Sequence, residues 1–315
     1  MISFILRKFL TFLSIFFFNK KISTLKDKKI LNKIKTIINK NRKYQYSLTK
    51  THKKFNLNVI KLFKHKKIKN FLKVGFIQKM FFIHNRFFIY RELKCLKNHK
   101  KWFFYKKLLK EDDVGSPVRY FLYPESSGNK INHVFHLYIL MTEFNIDLKK
   151  IQKVFEFGSG YGCMARIFSQ INKDIKYTCF DTFYVSLLQF YFLKHNNLDV
   201  GYSIKNKFSL NVEFNQIKDY NLNNSDYLFI ANWSLSETPL KFRNKFNSII
   251  MGSKYILIGF QEKFEDINNL KYFNKLKNKI SSSFNVKIIK NKYYRGNFIY
   301  KQNHYYFLAK KINLF

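Results

Sequence analysis

The residues whose types and spacing could do chemistry lie mid-chain, where an apolar segment runs into a glycine-rich turn. A buried strand is predicted over Lys153–Phe157, and Gly158-Ser159-Gly160-Tyr161-Gly162 follows it. Glycines at alternate positions let the backbone turn sharply and approach a ligand closely. A helix is predicted to begin directly after this turn. The pattern therefore predicts a ligand-binding loop with the candidate contacts Glu156, Gly158, Ser159, Gly160 and Gly162.

A second acid supports this interpretation. Asp181 ends the next predicted strand, Lys176–Phe180, nineteen residues after Gly162. A carboxylate in that position can accept hydrogen bonds from both hydroxyls of a ribose. The dinucleotide-binding fingerprint would place its third glycine one position later, at Cys163, so the chain departs from that pattern.

A third candidate segment follows the predicted strand Tyr227–Ala231 and runs from Asn232 to Pro239. In an open α/β sheet, ligands bind at the carboxyl ends of the strands, which makes Asn232 and Trp233 candidate site residues. Thr238 and Pro239 predict a helix start, with Thr238 as N-cap and the proline at the first helical position. Glu237 is then either a functional carboxylate or a capping or solvent-exposed one.

The elements that must position these residues alternate between strand and helix beyond residue 150. Further strands are predicted within 199–214, at Tyr255–Phe260, Val286–Tyr293 and His304–Lys310, with a helix near Ile267–Ile280. The predicted fold class is α/β, a Rossmann-like doubly wound sheet with a terminal antiparallel β-pair. A mainly helical basic N-terminal region precedes it, with helical stretches over 25–41 and 59–96. Loops over 111–117 and 124–130 and a helix over 131–144 follow that region.

The charge balance is strongly basic, with 59 Lys and Arg against 19 Asp and Glu and a net charge of +40. Such a charge invites a nucleic-acid partner. Lys outnumbers Arg 51 to 8, however, whereas phosphate and base-edge recognition favours Arg. The Lys excess is typical of an A/T-rich genome and argues against nucleic acid. Residues 1–110 still hold 31 Lys and Arg against two acids, which an anionic membrane or a phosphorylated substrate fits as well as RNA does.

The N-terminal segment Ile2–Phe18 is apolar but is interrupted by Arg7 and Lys8. Its uninterrupted part, Phe9–Phe18, is too short to span a bilayer, and no small-residue cleavage site follows. We expect residues 1–21 either to form an interfacial helix at the inner face of the membrane or to pack against the protein body. Three scattered cysteines make neither a disulfide framework nor a zinc site, and they place the protein in the cytoplasm.

The pattern acid-x-Gly-x-Gly-x-Gly at Glu156–Gly162 resembles the first motif of the S-adenosylmethionine-dependent methyltransferases. The resemblance implies that S-adenosylmethionine is the cofactor and that the glycine loop passes under its methionine and ribose. It also implies that Glu156 orients the amino-acid end of the cofactor. The segment after Ala231 lacks the Asn-Pro-Pro-aromatic signature of amino-methylating enzymes, which indicates another kind of acceptor.

Residues 111–315 resemble a narrower group, the sugar O-methyltransferases of bacterial surface-polysaccharide gene clusters. The resemblance is carried by Val114–Pro117, a helix of the 131–140 kind, the glycine loop with Ala165-Arg166 after it, and Ser234–Glu237. It implies methyl transfer to a hydroxyl of a sugar or glycan. The resemblance does not extend to the first hundred residues. The charge distribution, the change of character at Glu111 and the strand–helix alternation beyond residue 150 predict a basic, mainly helical region over 1–110, a helical lid or substrate segment over 111–149 and a cofactor-binding domain over 150–315.

Methylating a sugar hydroxyl calls for a base, because the hydroxyl is a weak acid. The candidates are Glu237, His133 and His136, the two histidines lying three residues apart on one predicted helical face. No carboxylate cluster in the sequence requires a metal. Two alternatives remain open: an RNA methyltransferase with a basic N-terminal arm, and a non-catalytic scaffold with this fold. The oligomeric state is left open.

Overall fold

The computed structural model describes residues 5, 6, 9, 12, 13, 24–40, 57–63, 67–81, 87–218, 220, 226–293 and 302–312. Its first elements are mainly helical, as predicted. They are α1 (Thr24–Lys40), a helical turn over 57–63, a 3₁₀ segment (Lys67–Lys73), α2 (Gly75–Met80), α3 (Phe87–Lys97), α4 (Trp102–Leu109), β1 (Arg119–Tyr120), β2 (Tyr123–Ser127) and α5 (Gly128–Phe144).

From residue 153 onward, strands and helices alternate. The elements are β3 (Lys153–Phe157), α6 (Cys163–Ile171), β4 (Lys176–Phe180), α7 (Phe183–His195), β5 (Val200–Gly201), β6 (Phe208–Asn211), β7 (Tyr227–Asn232), α8 (Leu240–Asn244), α9 (Asn247–Gly252), β8 (Tyr255–Gln261), β9 (Lys263–Phe264), β10 (Ile267–Asn268), α10 (Asn269–Ile280), β11 (Phe284–Lys290) and β12 (His304–Lys311). Short 3₁₀ segments lie at Leu148–Lys150, Phe214–Gln216 and Leu235–Glu237.

The chain forms two compact units that do not follow sequence order. The first consists of Met1–Leu137, Gly160–Gln170 and Thr182–Gly201, and the second of Tyr138–Ser159, Ile171–Asp181 and Tyr202–Phe315. The division of the sequence at residues 110 and 149 stays a prediction.

The second unit is built on a sheet in which its described strands follow the order β11-β12-β8-β7-β3-β4-β6. Strands β8, β7, β3, β4 and β6 run parallel, whereas β12 is antiparallel to both β8 and β11. The α/β class with a terminal antiparallel pair is therefore confirmed. Because β3 lies between β4 and β7, the carboxyl ends of these three strands meet at one edge of the sheet.

An aromatic core holds this sheet to α9 and α10 within the second unit. Phe155 and Phe229 stack on neighbouring strands with ring centroids 5.7 Å apart, and Phe246 meets Phe157 edge-on at 4.7 Å. Phe260 packs on Phe273 of α10 at 4.2 Å. All six rings are buried, and burial of each contributes about 2 kcal/mol, so the sheet edge rests on a rigid base.

The predicted helical stretch over 59–96 is helical in most of its described residues but is interrupted. The region is divided between the 57–63 turn, the 3₁₀ segment, α2 and α3, and Asn70 has the non-helical angles φ −116° and ψ 31°. The Leu72 N–H donates to the Gly115 carbonyl at 3.0 Å, and the Ser116 hydroxyl donates to the Asn70 side chain at 2.6 Å. Hydrogen bonds to a distant segment thus replace those that would continue the helix.

The predicted loop over 124–130 is also wrong, because residues 123–127 form β2 and α5 begins at Gly128. The Glu111 N–H donates to the Glu125 carbonyl at 2.9 Å, and the Glu111 carboxylate accepts from the Ser127 N–H at 3.1 Å. An acid from the preceding segment therefore satisfies the backbone of a strand that contains a proline and two serines.

The predicted cap at Thr238 is placed differently in the structure. Helix α8 begins at Leu240, and Pro239, with φ −60° and ψ 146°, is its N-cap. The Thr238 hydroxyl instead donates to the Leu235 carbonyl at 2.8 Å, which closes the preceding 3₁₀ turn.

The prediction of membrane contact through residues 1–21 falls largely outside the described residues. Those that are described there are helical, and Ile5, Leu6, Phe9 and Phe12 are exposed. No described helix has the length and apolar character needed to cross a membrane. The contact stays a prediction.

Glu92 gives the first unit a pH-dependent stability. Both of its carboxylate oxygens accept from the Asn132 amide at 3.0 Å, and burial raises the pKa of the carboxyl to about 8. The folded state therefore holds a proton that the unfolded state releases near pH 4.5, so this stability is present at low pH and is lost as pH rises to 8. Burial lowers the pKa of His133 to about 4, which acts in the opposite direction below pH 6.5.

In the wild type, we expect the free energy of unfolding to fall by roughly 1.5 kcal/mol between pH 6.5 and 8 because of Glu92. We expect Glu92→Gln to abolish this fall. Urea denaturation at both pH values measures this loss. Glu125→Gln is the matched control, since Glu125 is an exposed acid of the same unit. An unchanged pH dependence in Glu92→Gln would show that Glu92 is already ionised when folded.

Candidate functional site

The candidate site of the second unit lies at the carboxyl edge of β3, β4 and β7. The Gly158 N–H donates to the Phe180 carbonyl at 2.7 Å, which links the ends of β3 and β4. The Ser234 hydroxyl donates to the Phe157 carbonyl at 2.5 Å, which links the end of β3 to the segment after β7. The structure thus brings the predicted Glu156, Gly158, Ser159, Asp181, Asn232 and Trp233 to one edge.

Gly158 is required by the shape of this edge. Its φ of +70° lies in the left-handed region, and a Cβ there would stand 2.2 Å from the Cβ of Ser234. Only glycine permits this backbone to approach the segment after β7 so closely.

Glu156 is a buried carboxyl beside a second acid. Burial raises its pKa to about 8; the Tyr177 hydroxyl, which donates to Oε2 at 2.7 Å, lowers the pKa, and the Asp181 charge raises it. No described cationic side chain forms an ion pair with Glu156. A buried carboxyl held this way favours its charged form only when a cation binds nearby.

Asp181 and Ser159 frame the same turn. Asp181 follows β4 directly, is half-buried, and its N–H donates to the Asn211 carbonyl at 3.1 Å. Ser159 is buried, and its hydroxyl donates to the Glu156 carbonyl at 3.0 Å. The serine therefore stabilises the turn through its side chain.

The residues at the end of β7 include a polar side chain that the described residues leave unsatisfied. Both the amide nitrogen and the amide oxygen of Asn232 are buried without a described hydrogen-bond partner. Trp233 has a positive φ of 51°, its N–H donates to the Gly259 carbonyl at 2.8 Å, and its indole donates to His304 Nδ1 at 2.6 Å. A buried amide without partners costs free energy unless a ligand satisfies it.

Glu237 is held in a network at the same side of β8. Its Oε1 accepts from the Gln261 amide at 3.2 Å, while Gln261 Oε1 accepts from the Ser236 hydroxyl at 2.9 Å. Burial raises the pKa of Glu237 to about 7, and the Gln261 hydrogen bond lowers it. A carboxyl with a pKa near neutrality is suited to act as an acid or a base.

Arg243 positions the segment that carries Glu237. The fully buried guanidinium donates to the carbonyls of Ser236 and Thr238 and to Asn269 Oδ1, each at 2.7 Å. These bonds fix the backbone on both sides of Glu237. Glu237 is therefore fixed in place and partly buried. It does not cap α8, because the N-cap of that helix is Pro239.

The remaining glycines of the loop belong to the first unit. Gly160 and Gly162 have positive φ values of 54° and 94°. The Gln189 amide donates to the Gly160 carbonyl at 2.9 Å, and the Tyr161 hydroxyl accepts from the Asn129 amide at 2.9 Å. Side chains of α5 and α7 therefore hold this part of the loop.

Arg166, which follows the loop, forms an ion pair with Asp112 of the same unit, with Nη2 and Oδ1 2.8 Å apart. Asp112 also pairs with buried Lys130 at 3.1 Å. The pair anchors α6 to the acidic segment at 111–113.

His133 and His136 lie on one face of α5, as predicted, with ring centroids 6.0 Å apart. Burial lowers the pKa of His133 to about 4; burial and the His133 charge lower that of His136 well below its ordinary value. Both imidazoles are neutral near pH 7. They belong to the first unit, whereas Glu237 belongs to the second.

Sequence reasoning missed three residues of this edge, Tyr177, Gln261 and His304, and it gave Ser234 only as part of the candidate segment after β7. A signal existed for Tyr177, because parallel pairing of β3 and β4 sets Glu156 opposite Cys179. Tyr177 lies two residues before Cys179 and therefore on the same face. The others follow from strand order, which no local pattern encodes.

Among the described residues, no three His, Cys, Asp or Glu side chains are grouped to hold a metal ion. No protein-family model matches the chain, and no curated protein matches its sequence.

Several solved structures are similar to the chain. One is the methyltransferase domain of bacterial CtHen1-C, 11% identical, covering 57% of this chain and 97% of that one with a TM-score of 0.39. An rRNA methylase from Streptococcus thermophilus is 13% identical, with 58% and 96% covered and a TM-score of 0.38. Residues 942–1257 of StiE O-MT are 12% identical, with 57% and 74% covered and a TM-score of 0.39. Since these TM-scores lie below 0.5, the fold assignment rests on the strand order of this chain.

Proposed function

We propose that the chain is an S-adenosylmethionine-dependent methyltransferase that methylates a hydroxyl of a sugar or glycan. The observation that carries the proposal is the pair of acids, Glu156 and Asp181, beside the left-handed turn at Gly158. The strand order and the terminal antiparallel pair agree with the fold that the motif at Glu156–Gly162 implies.

The residues at the sheet edge fit the proposed cofactor by their chemistry. Glu156, without a described cationic partner, suits the ammonium group, and Asp181 suits a ribose diol. The buried amide of Asn232 offers a donor and an acceptor that a ligand would satisfy. When bound, S-adenosylmethionine supplies an electrophilic methyl group on a sulfonium sulfur.

Glu237 is the residue that we assign to take the proton of the acceptor hydroxyl. Its pKa of about 7 leaves a useful fraction ionised at neutral pH. The sugar as acceptor is supported by the resemblance of Val114–Pro117 and Ser234–Glu237 to the sugar O-methyltransferases.

Calorimetry with S-adenosylmethionine and with its demethylated product tests the cofactor. We expect binding in the wild type and about a tenfold to hundredfold loss in Asp181→Asn, because a hydrogen bond to a charged group contributes about 1.5–3 kcal/mol. Asp174→Asn is the matched control, an exposed acid of the same unit that pairs with Lys207.

An absence of heat with both ligands would overturn the proposal. Labelled methyl transfer to nucleotide sugars, with total RNA as a parallel acceptor, tests the substrate class. Label on RNA alone would replace the sugar as acceptor.

Tyr177→Phe tests, through the pH dependence of cofactor affinity, whether ionised Glu156 binds the cofactor. Removing a hydrogen bond that lowers the pKa of Glu156 should raise that pKa by about one unit. Since a cation binds the ionised carboxyl, cofactor affinity should rise with pH, and the variant should reach its plateau at higher pH. Tyr227→Phe, another buried tyrosine of the sheet, is the control. A loss of affinity equal at every pH would mean that Tyr177 is only structural.

A further inference from the structure

Three exposed apolar side chains of the first unit lie on α4 and on the turn between β1 and β2. Phe103 of α4 is 79% exposed, and Phe121 and Leu122, at the turn between β1 and β2, are 41% and 51% exposed. The rings of Trp102 and Tyr123 meet edge-on with centroids 6.4 Å apart, which joins the start of α4 to this turn. Large apolar side chains exposed together usually mark a contact surface.

The surrounding segment presents only positive charge. Residues 87–110 contain eight cationic side chains, all of them exposed: Arg91, Lys94, Lys97, Lys100, Lys101, Lys106, Lys107 and Lys110. The acid of this segment, Glu92, is buried and hydrogen-bonded to Asn132. Lys97 Nζ lies 5.1 Å from the centre of the Tyr123 ring, so cations directly border the aromatic group.

We propose that this aromatic-basic surface, formed by Lys97, Lys100, Lys101, Phe103 and the Phe121-Leu122 turn, docks on an anionic lipid bilayer. Lysines interact with anionic headgroups while their alkyl stems and the neighbouring phenylalanines reach the acyl boundary. Each lysine near an anionic leaflet adds to the attraction, so several together give reversible binding.

The chemistry favours lipid over nucleic acid at this surface. Leu122, at the tip of the turn, has no π-face on which a base could stack, whereas insertion into hydrocarbon buries it. Seven of the eight cations are lysines, which bind phosphate as point charges and lack the planar fork of arginine. The proposal depends neither on the methyltransferase assignment nor on residues 1–21.

One acid limits the affinity of this surface. The Glu125 carboxylate accepts from the Tyr123 hydroxyl at 3.0 Å and is exposed. Its charge opposes anionic headgroups, so Glu125→Gln should strengthen vesicle binding several-fold.

Vesicle sedimentation of the full chain tests the proposal, with phosphatidylcholine vesicles that contain or lack phosphatidylglycerol. Wild type should sediment only with the anionic vesicles, and less at high salt. The double variant Phe103→Ser/Leu122→Ser should bind about tenfold more weakly. Ile204→Ser is the matched control, because Ile204 is 81% exposed and belongs to the other unit.

A triple variant tests the charges. Lys97→Gln/Lys100→Gln/Lys101→Gln should weaken binding on the order of a hundredfold. Lys271→Gln/Lys275→Gln/Lys279→Gln removes the same charge from exposed positions of α10 and should change binding little. Equal losses in both triple variants would show attraction by net charge alone and overturn the proposal.

Two further results would overturn it. Unchanged binding of the Phe103/Leu122 variant would place the contact elsewhere, residues 1–21 included. Filter binding in which that variant loses affinity for single-stranded RNA, while vesicle binding stays absent, would make the surface an RNA-binding one.

Discussion

Glu237→Gln should reduce turnover about a hundredfold to ten-thousandfold while leaving cofactor affinity unchanged. The amide retains an oxygen that can accept from Gln261, so the network over Ser236 and Arg243 persists, but the amide cannot take a proton. Methyl transfer rate and calorimetric affinity, measured on the same preparation, separate the two effects. Glu265→Gln, an exposed acid of the same unit, is the control.

The pH dependence of turnover is a second test of Glu237 as the base. A base works when ionised, so turnover should rise with pH through about 7, the pKa of Glu237. Gln261→Leu removes a hydrogen bond that lowers this pKa, and the rise should then move to higher pH. A near-normal rate in Glu237→Gln would exclude it as the base, and a pH profile unaffected by Gln261→Leu would exclude the positioning role of Gln261.

The strands of the parallel sheet could be predicted from sequence because their signals are local. Strands β3 and β4 have the predicted bounds, Lys153–Phe157 and Lys176–Phe180. Each is a mostly apolar or aromatic run that is followed directly by a glycine or an acid, and burial on both faces favours such runs. The glycine turn could be predicted for the same reason, since the five residues Gly158–Gly162 contain the glycines that its left-handed backbone conformation requires.

The contacts that tune the site could not be predicted, because they join residues far apart in sequence. Trp233 reaches His304 only because β12 is inserted antiparallel between β8 and β11. Arg243 is a cation on a short helix, where solvent exposure would be the usual expectation. Its burial depends on three oxygen acceptors, one of them on Asn269, that only the folded chain assembles.

Strand β2 was predicted wrongly for a different reason, because its local sequence signals indicate a loop. Pro124, Ser126 and Ser127 are typical of a loop. The strand forms because Glu111 bonds to it through both backbone and side chain. Tertiary hydrogen bonds here override local propensity.

Gly158→Ala should abolish cofactor binding and lower stability. A residue with a side chain at φ +70° costs about 1 kcal/mol or more, and its Cβ would meet the Cβ of Ser234 at 2.2 Å. The turn must then move away from the edge that carries Glu156 and Asp181. Gly75→Ala is the control for adding a methyl group, since a Cβ at Gly75 meets nothing within 4 Å.

The double variant Gly158→Ala/Ser234→Gly separates the clash from the backbone strain. Removing the Ser234 side chain relieves the 2.2 Å contact but leaves the positive φ and gives up the hydrogen bond to the Phe157 carbonyl. We therefore expect partial recovery of the thermal midpoint and of cofactor affinity relative to Gly158→Ala alone. Wild-type affinity in Gly158→Ala would mean that the turn is not part of the ligand surface. No recovery in the double variant would mean that the left-handed backbone, and not the contact with Ser234, is what the glycine is needed for.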